Sequence, residues 1–138
     1  MYKIERNDSG FKLTFDGSLK KEELEQWYKE SENALKTTKG PFGVIIDMRN
    51  LAALRPDAQA VMVKGQGLYR SKGMQRSAVI LNDPVVTFQF MRLAKESGID
   101  AYERYLDASS DSQWQKHAEG WVRSGIDPDK ATAQKAGS

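Results

Sequence analysis

The sequence contains no cysteine and only one histidine among its 138 residues. The absence of cysteine excludes a disulfide framework, a thiol nucleophile and a thiolate metal site, and it is compatible with a reducing compartment. The chain also lacks an apolar stretch of signal-peptide length and any run long enough to span a bilayer. We therefore expect a cytoplasmic protein without a membrane span.

An excess of charge of one sign is also lacking. Lysine and arginine total 21 against 19 for aspartate and glutamate, so the formal net charge is only +2. Nucleic-acid binding requires a basic patch or stripe, and the charges here are balanced along the chain, so nucleic acid is not an expected partner. A length of 138 residues favours a single domain, which buries about two-thirds of its unfolded surface.

Hydrophobic periodicity predicts the order of the secondary-structure elements. Segments 2–6 and 11–15 alternate apolar and polar residues around a turn-rich stretch, which indicates a β-hairpin. The further strands are predicted at 44–46, 77–81 and 101–106, and the helices at 19–39, 56–72, 84–97 and 111–124. The order ββαβαβαβα predicts an α/β domain with a mixed sheet of about five strands and helices packed against it.

Several details of this fold follow from local patterns. Ser18 and Asp83 are the candidate N-caps of the first and third helices, and Pro56 and Pro84 occupy favoured first-turn positions. The core is expected to include Ile45, Val79 and Leu81 from the strands, Phe88, Met91 and Ala94 from the third helix, and Trp114, Ala118, Trp121 and Val122 from the last. Residues 1–126 are predicted to form the domain, and residues 127–138 to form a disordered C-terminal tail.

Polar side chains follow two of the predicted parallel strands. Ligands of open α/β sheets bind beyond the carboxyl ends of the strands, so these side chains are candidates for contacting a partner or a small anion. The candidate residues are Asp47, Arg49, Asn50, Arg55, Asp57, Asn82 and Asp83. The alternative is purely structural, with Arg49 paired to Asp47 and Arg104 paired to Glu103.

No pattern of a catalytic, metal or cofactor site is found. His117 is expected to be a half-exposed helix histidine, because no partner for base catalysis accompanies it in the sequence. Gly65-Gln66-Gly67 lies inside a helix pattern rather than between a strand and a helix, so close helix packing explains Gly65 better than nucleotide binding does. The sequence therefore predicts a protein that is not an enzyme and has no metal or cofactor.

Five segments in this order resemble one family. They are Ile46–Arg49, Arg76–Ile80, Phe88–Arg92, Glu103–Tyr105 and Trp114–Trp121. Together with the element order they resemble the STAS-domain family, and within it the SpoIIAA-like branch of small bacterial proteins described as STAS or SEC14-like. The resemblance covers about residues 1–126 and implies a STAS-type fold with a regulatory or binding role.

The resemblance also implies a switch serine at the start of the helix that follows the central strand, where backbone N–H groups and the helix dipole stabilise a phosphate. The corresponding segment here, residues 54–58, carries no hydroxyl group and places Asp57 in the first turn. One interpretation is that the Asp57 carboxylate takes the place of a phosphate, so that the domain permanently resembles the phosphorylated form.

Two functions remain open from the sequence. The first is a non-catalytic regulatory or protein-interaction domain that lacks the switch serine and self-associates as a homodimer. The second is a small protein that binds an apolar or amphipathic, lipid-like ligand, as the SEC14-like resemblance implies. Six aromatic residues fit either function: they would line the cavity of a lipid-binding protein or fill the core of an interaction domain. They are Trp27, Tyr28, Phe88, Phe90, Trp114 and Trp121. A roomy enclosed cavity would favour ligand binding, whereas a solid core with an exposed patch would favour protein interaction.

Overall fold

Five strands form one sheet whose spatial order is the same as their order in the chain. The computed structural model describes residues 1–130. The strands are β1 (Tyr2–Asn7), β2 (Gly10–Phe15), β3 (Phe42–Asp47), β4 (Met74–Leu81) and β5 (Glu103–Asp107). β1 and β2 form the predicted antiparallel hairpin, and β2 to β5 are parallel neighbours. The predicted mixed α/β sheet is therefore confirmed.

Within residues 1–130, four complete α-helices cover the two faces of the sheet unequally. They are α1 (Lys21–Leu35), α2 (Pro56–Ser71), α3 (Pro84–Ser97) and α4 (Trp114–Ser124), and a single 3-10 turn occupies Asp100–Tyr102. The first three helices enclose the larger core on one face, while α4 alone packs on the other face. Within residues 1–130 no helix combines the length and the apolar character needed to cross a membrane.

The ends of α2 and α3 agree with the predicted ends to within one residue, whereas α1 and α4 are shorter than predicted. The carboxylate of Asp83 accepts a hydrogen bond of 2.8 Å from the backbone N–H of Val85, as expected of an N-cap before Pro84. α3 ends at Gly98, whose left-handed backbone (φ 83°) closes the helix. The N-cap of α1 is Lys20, which has an extended backbone, rather than Ser18, and Leu19 between them is buried in the core.

The buried face of α3 differs from the predicted one. Phe88 and Met91 are exposed to 71% and 37%, and only Ala94 of the expected set is buried. The residues that α3 buries are Val86, Phe90, Leu93 and Ala94. Apolar residues occur on both sides of this helix, so its periodicity fits two orientations, and the pattern alone does not choose between them.

The smaller core lies between α4 and the sheet. Trp121 closes it, and its indole N–H donates to the carbonyl oxygens of Ser77 (3.0 Å) and Tyr102 (3.2 Å). Ala118 and Val122 are buried as predicted, whereas Trp114 is half-buried at the edge. Ile45 also faces α4 and is half-buried, in contrast to Val79 and Leu81, which are fully buried on the opposite face.

The packed part of the chain continues past residue 126. The guanidinium group of Arg104 donates to both carboxylate oxygens of Asp127, at 3.0 and 3.1 Å, and lies 4.2 Å from the ring centroid of Trp121. Arg104 does not pair with the side chain of Glu103, because neighbouring residues of a strand point to opposite faces of the sheet. Pro128 is buried as well. Residues 131–138 of the predicted tail lie outside the described part of the chain.

Replacement of Asp127 by alanine tests this C-terminal contact. Asp127→Ala removes a bidentate partner whose side chain is only 16% exposed, so we expect a loss of about 1–2 kcal/mol in the free energy of unfolding. Asp129→Ala is the matched control, since the Asp129 side chain is 72% exposed and lies 3.8 Å from Arg104. Urea unfolding of both variants is the measurement. Equal stability of the two would show that the contact with Asp127 does not stabilise the domain.

Candidate functional site

The predicted polar residues lie at one edge of the sheet, where the parallel strands end. Asp47 ends β3, and Asn82 and Asp83 directly follow β4. The side-chain amide of Asn82 donates to the backbone carbonyl of Arg49 at 3.1 Å, so the turns after β3 and β4 are held together. We refer to the seven predicted residues, Asp47, Arg49, Asn50, Arg55, Asp57, Asn82 and Asp83, as the carboxyl-end edge.

Within this edge Asp47 and Arg49 form a closed ion pair. The Nε and Nη2 atoms of Arg49 donate to the two carboxylate oxygens of Asp47 at 3.0 and 2.9 Å, and its backbone N–H donates as well, at 3.1 Å. The guanidinium group also lies over the ring of Trp114, 4.6 Å from its centroid. Burial by itself would raise the pKa of Asp47, but the hydrogen bonds from Arg49 outweigh it and lower the pKa below its ordinary value.

This pairing argues against an anion site at Arg49. The Nε and Nη2 edge of the guanidinium group is already bound to Asp47, which neutralises its charge, and one face of the group covers Trp114. The predicted pairing of Arg49 with Asp47 is confirmed. What the pair presents to the solvent is a rigid, neutralised polar surface.

The remaining edge residues surround the start of α2. Arg55 and Asp57 are exposed, and the carboxylate of Asp57 accepts a hydrogen bond of 2.8 Å from the N–H of Ala58. Asn50 is exposed too, while its carbonyl oxygen accepts from the N–H of Gly17 at 2.9 Å. The first turn of α2 is therefore open to solvent and already carries a negative charge.

A set of amide contacts that the sequence analysis missed fixes the segment in front of α2. The backbone N–H and carbonyl of Leu54 bond to the side-chain amide of Gln89 on α3, at 2.7 and 3.0 Å. Gln59 donates to the same carbonyl at 2.8 Å and is in turn contacted by Arg92. The bonds made by Gln89 span 35 residues and the contact of Arg92 with Gln59 spans 33, and the only sequence signal for them is a glutamine inside an apolar stretch.

The histidine is held in a structural pair. His117 Nδ1 lies 2.6 Å from a carboxylate oxygen of Asp111, whose other oxygen accepts from the N–H of Gln113 at 2.9 Å. The pair thus stabilises the turn that leads into α4. A half-buried helix histidine is what the sequence predicted.

The interior of the larger core is almost completely filled. A cavity of about 20 Å³ remains, lined chiefly by apolar side chains and bordered by Gln66 and Glu103. This space is enough for one water molecule, whereas pockets for small-molecule ligands measure about 300–1,000 Å³. Trp27 and Phe90 are 1% exposed and fill the core rather than line a ligand chamber.

The wall of this cavity holds one buried carboxyl group. Glu103 is 2% exposed and accepts hydrogen bonds from the hydroxyl groups of Ser77 (3.0 Å) and Tyr105 (2.6 Å). Burial raises its pKa to about 7, and the two hydrogen bonds only partly oppose this effect. Within residues 1–130 the group lies away from the solvent-exposed edge, so it affects stability rather than binding.

On the outside of α3, three apolar side chains are exposed. They are Val85 (65%), Phe88 (71%) and Met91 (37%), and we call them the α3 patch. The patch adjoins the carboxyl-end edge through Asn82 and Asp83, which line the same groove as Phe88 and Met91. It was missed in the sequence because Phe88 and Met91 were assigned to the core.

Comparison with known proteins identifies the fold. No protein-family model and no curated protein matches this chain. It is similar to the crystal structure of an uncharacterized DUF3478-family protein with a SpoIIAA-like fold from Shewanella loihica PV-4. The identity is 25%, the TM-score is 0.62, and the alignment covers 88% of this chain and 92% of that one. The NMR structure of the protein TM1081 is similar in fold alone, with 12% identity, a TM-score of 0.51 and coverage of 84% and 90%.

Proposed function

Starting from the SpoIIAA-like fold of this chain, we propose that it is a non-catalytic regulatory domain that acts by binding another protein. The observation that carries the proposal is the contrast between a filled interior and an exposed edge. The core leaves about 20 Å³, too little for a lipid-like ligand, whereas the carboxyl-end edge presents rigid polar groups to solvent.

The start of α2 indicates how such a domain differs from a phosphorylation switch. Residues 51–61 contain no serine, threonine or tyrosine, so no hydroxyl group is available to accept a phosphate. Asp57 supplies a permanent carboxylate in the first helical turn instead. We therefore expect a surface whose charge is constant and whose binding is regulated by the partner's concentration or modification.

The edge is suited to a protein rather than to a small molecule. Its side chains come from the turns after β3 and β4 and from the first turn of α2, and they form an open surface rather than a pocket. An open surface of exposed polar groups is typical of the rim of a protein interface rather than of a small-molecule site.

A photo-crosslinking residue at position 55 tests the proposal. Placed at Arg55 in the cells that naturally make this protein, it is expected to form a discrete adduct with one other protein. Lys36, which is exposed at the far end of α1, is the matched control position and should form no such adduct.

Two results would contradict the proposal. One is the absence of any adduct that is specific to position 55. The other is a lipid retained by the purified protein in native mass spectrometry, which would support the lipid-binding alternative. Phosphate mapped to residues 51–61 would separately overturn the interpretation of the α2 start.

A further inference from the structure

The α3 patch groups three of the large apolar side chains that the described surface leaves exposed. Val85, Phe88 and Met91 follow one another at intervals of three residues on α3, so they form a continuous stripe rather than scattered contacts. Single exposed apolar residues are ordinary, but a contiguous stripe that contains a phenylalanine exposed to 71% marks an interaction surface.

A groove beside the stripe is sized for side chains. Its volume is about 200 Å³, below the range of small-molecule pockets, and Pro84, Thr87, Phe88 and Met91 line it together with polar residues. Phe88 is therefore both part of the wall of a groove and an unburied side chain of the size that fills one. A surface that carries both an exposed apolar side chain and a groove that accepts such a side chain is suited to binding a second copy of the same surface.

The charges around the stripe are also self-complementary. Asp83 and Asp107 line the groove at the N-terminal end of α3, and the pKa of Asp107 is lowered by hydrogen bonds from Ser109, which keeps that carboxylate ionised. Lys95 is exposed in the last turn of the same helix. The adjacent Glu96 is paired with Arg92 at 3.0 Å, so Lys95 adds a positive charge at this end, and the stripe has two carboxylates at its N-terminal end and a net positive charge in its last turn.

We infer that two copies of this chain form a dimer through α3, with the two helices antiparallel about a two-fold axis near Phe88. Residues equally far from Phe88 on either side then face each other. Lys95 lies about 10 Å along the helix from Phe88 and Asp83 about 7 Å in the other direction, at 1.5 Å per residue. Lys95 of each copy therefore lies beside the acidic end of the other copy.

A two-fold axis makes every contact occur twice. In such an isologous interface each copy contributes the same patch, so Phe88 of each copy packs into the groove of the other, and both Lys95 side chains find carboxylates. Antiparallel helices also bring the opposite ends of their dipoles together. This dimer uses the α3 patch and leaves Arg55 free, so it goes beyond the proposed function and can fail independently of it.

The first test is sedimentation of the full chain over a range of concentrations. We expect a concentration-dependent dimer that Phe88→Glu converts to a monomer. At protein concentrations where the wild type is itself monomeric, the variant should have the same melting temperature, because Phe88 is exposed. Ile126→Glu, an equally drastic change at a side chain exposed to 60% outside α3, is the matched control and should leave the dimer intact. A wild-type chain that stays monomeric at all concentrations, or a dimer that tolerates Phe88→Glu, would overturn the inference.

The second test exploits the symmetry. Lys95→Glu places two carboxylates opposite each other at both ends of the dimer, and Asp107→Lys places two ammonium groups there, so each variant alone should dimerise at least 10-fold more weakly. A mixture of the two variants has attractive pairs at both ends, and we expect heterodimers to form with restored affinity.

Together, the two tests distinguish an error in the dimer geometry from an error in the proposed function. If mixing fails to restore association although both variants keep the wild-type melting temperature, the antiparallel arrangement is wrong. A protein adduct at position 55 that persists in a monomeric chain would leave the proposed function standing without the dimer.

Discussion

Gly65→Ala is expected to lower the free energy of unfolding by about 1–3 kcal/mol, although it adds only one methyl group. A Cβ atom at position 65 would overlap the Cζ3 and Cη2 atoms of Trp27, which lies on the facing helix α1. Trp27 cannot move aside easily, because its ring stacks on Tyr69 at 5.8 Å and meets the edge of Phe15 at 5.3 Å. Relief of the overlap therefore requires α1 and α2 to separate.

Gly67→Ala is the matched control in the same helix. A Cβ atom there would have no heavy atom within 4 Å, apart from its chain neighbours and the helix backbone, so the substitution brings only the better helix propensity of alanine. We expect it to stabilise the protein by about 0.5–1 kcal/mol. Urea unfolding of both variants measures effects of opposite sign. A Gly65→Ala variant as stable as Gly67→Ala would show that α1 and α2 do not approach as closely as described.

Gly65 also shows which features of the fold can be predicted from the sequence. A glycine inside an amphipathic helix predicts that something approaches the helix closely, and the structure bears this out. Which group approaches depends on the crossing of two helices, and Trp27 lies 38 residues away. The same division applies to helix ends, since Asp83 was predicted as an N-cap because capping involves neighbours in the chain.

The features that were missed depend on contacts between distant residues. Arg104 was assigned to the adjacent Glu103, but the two point to opposite faces, and its actual partner is 23 residues further on. Gln89 holds the segment in front of α2 across 35 residues. At the carboxyl-end edge, the Asp47 and Arg49 pair and the Asp83 cap were foreseen as contacts, because in each the partner is two residues away in the chain.

Glu103 gives the second large expected effect, a fall in stability as the pH rises from acid to neutral. In the unfolded chain this carboxyl group loses its proton near its ordinary pKa of 4.5, whereas in the folded protein burial raises the pKa to about 7. Between these values the folded state binds more protons than the unfolded state, so the free energy of unfolding decreases with pH. The contribution of this group is fully present below pH 4.5 and is lost by the time the pH has passed 7.

Replacement of Glu103 by glutamine separates this effect from the other carboxylates. The amide is always neutral and keeps an oxygen that accepts from Ser77 or Tyr105, so Glu103→Gln should lose the decline in stability, roughly 3 kcal/mol, between pH 5 and pH 8. Glu119→Gln, on the exposed side of α4, is the control and should keep the wild-type profile. Urea unfolding at a series of pH values is the measurement. A Glu103→Gln variant whose stability falls with pH as steeply as that of the parent would mean that the buried carboxyl group ionises as readily in the folded protein as in water.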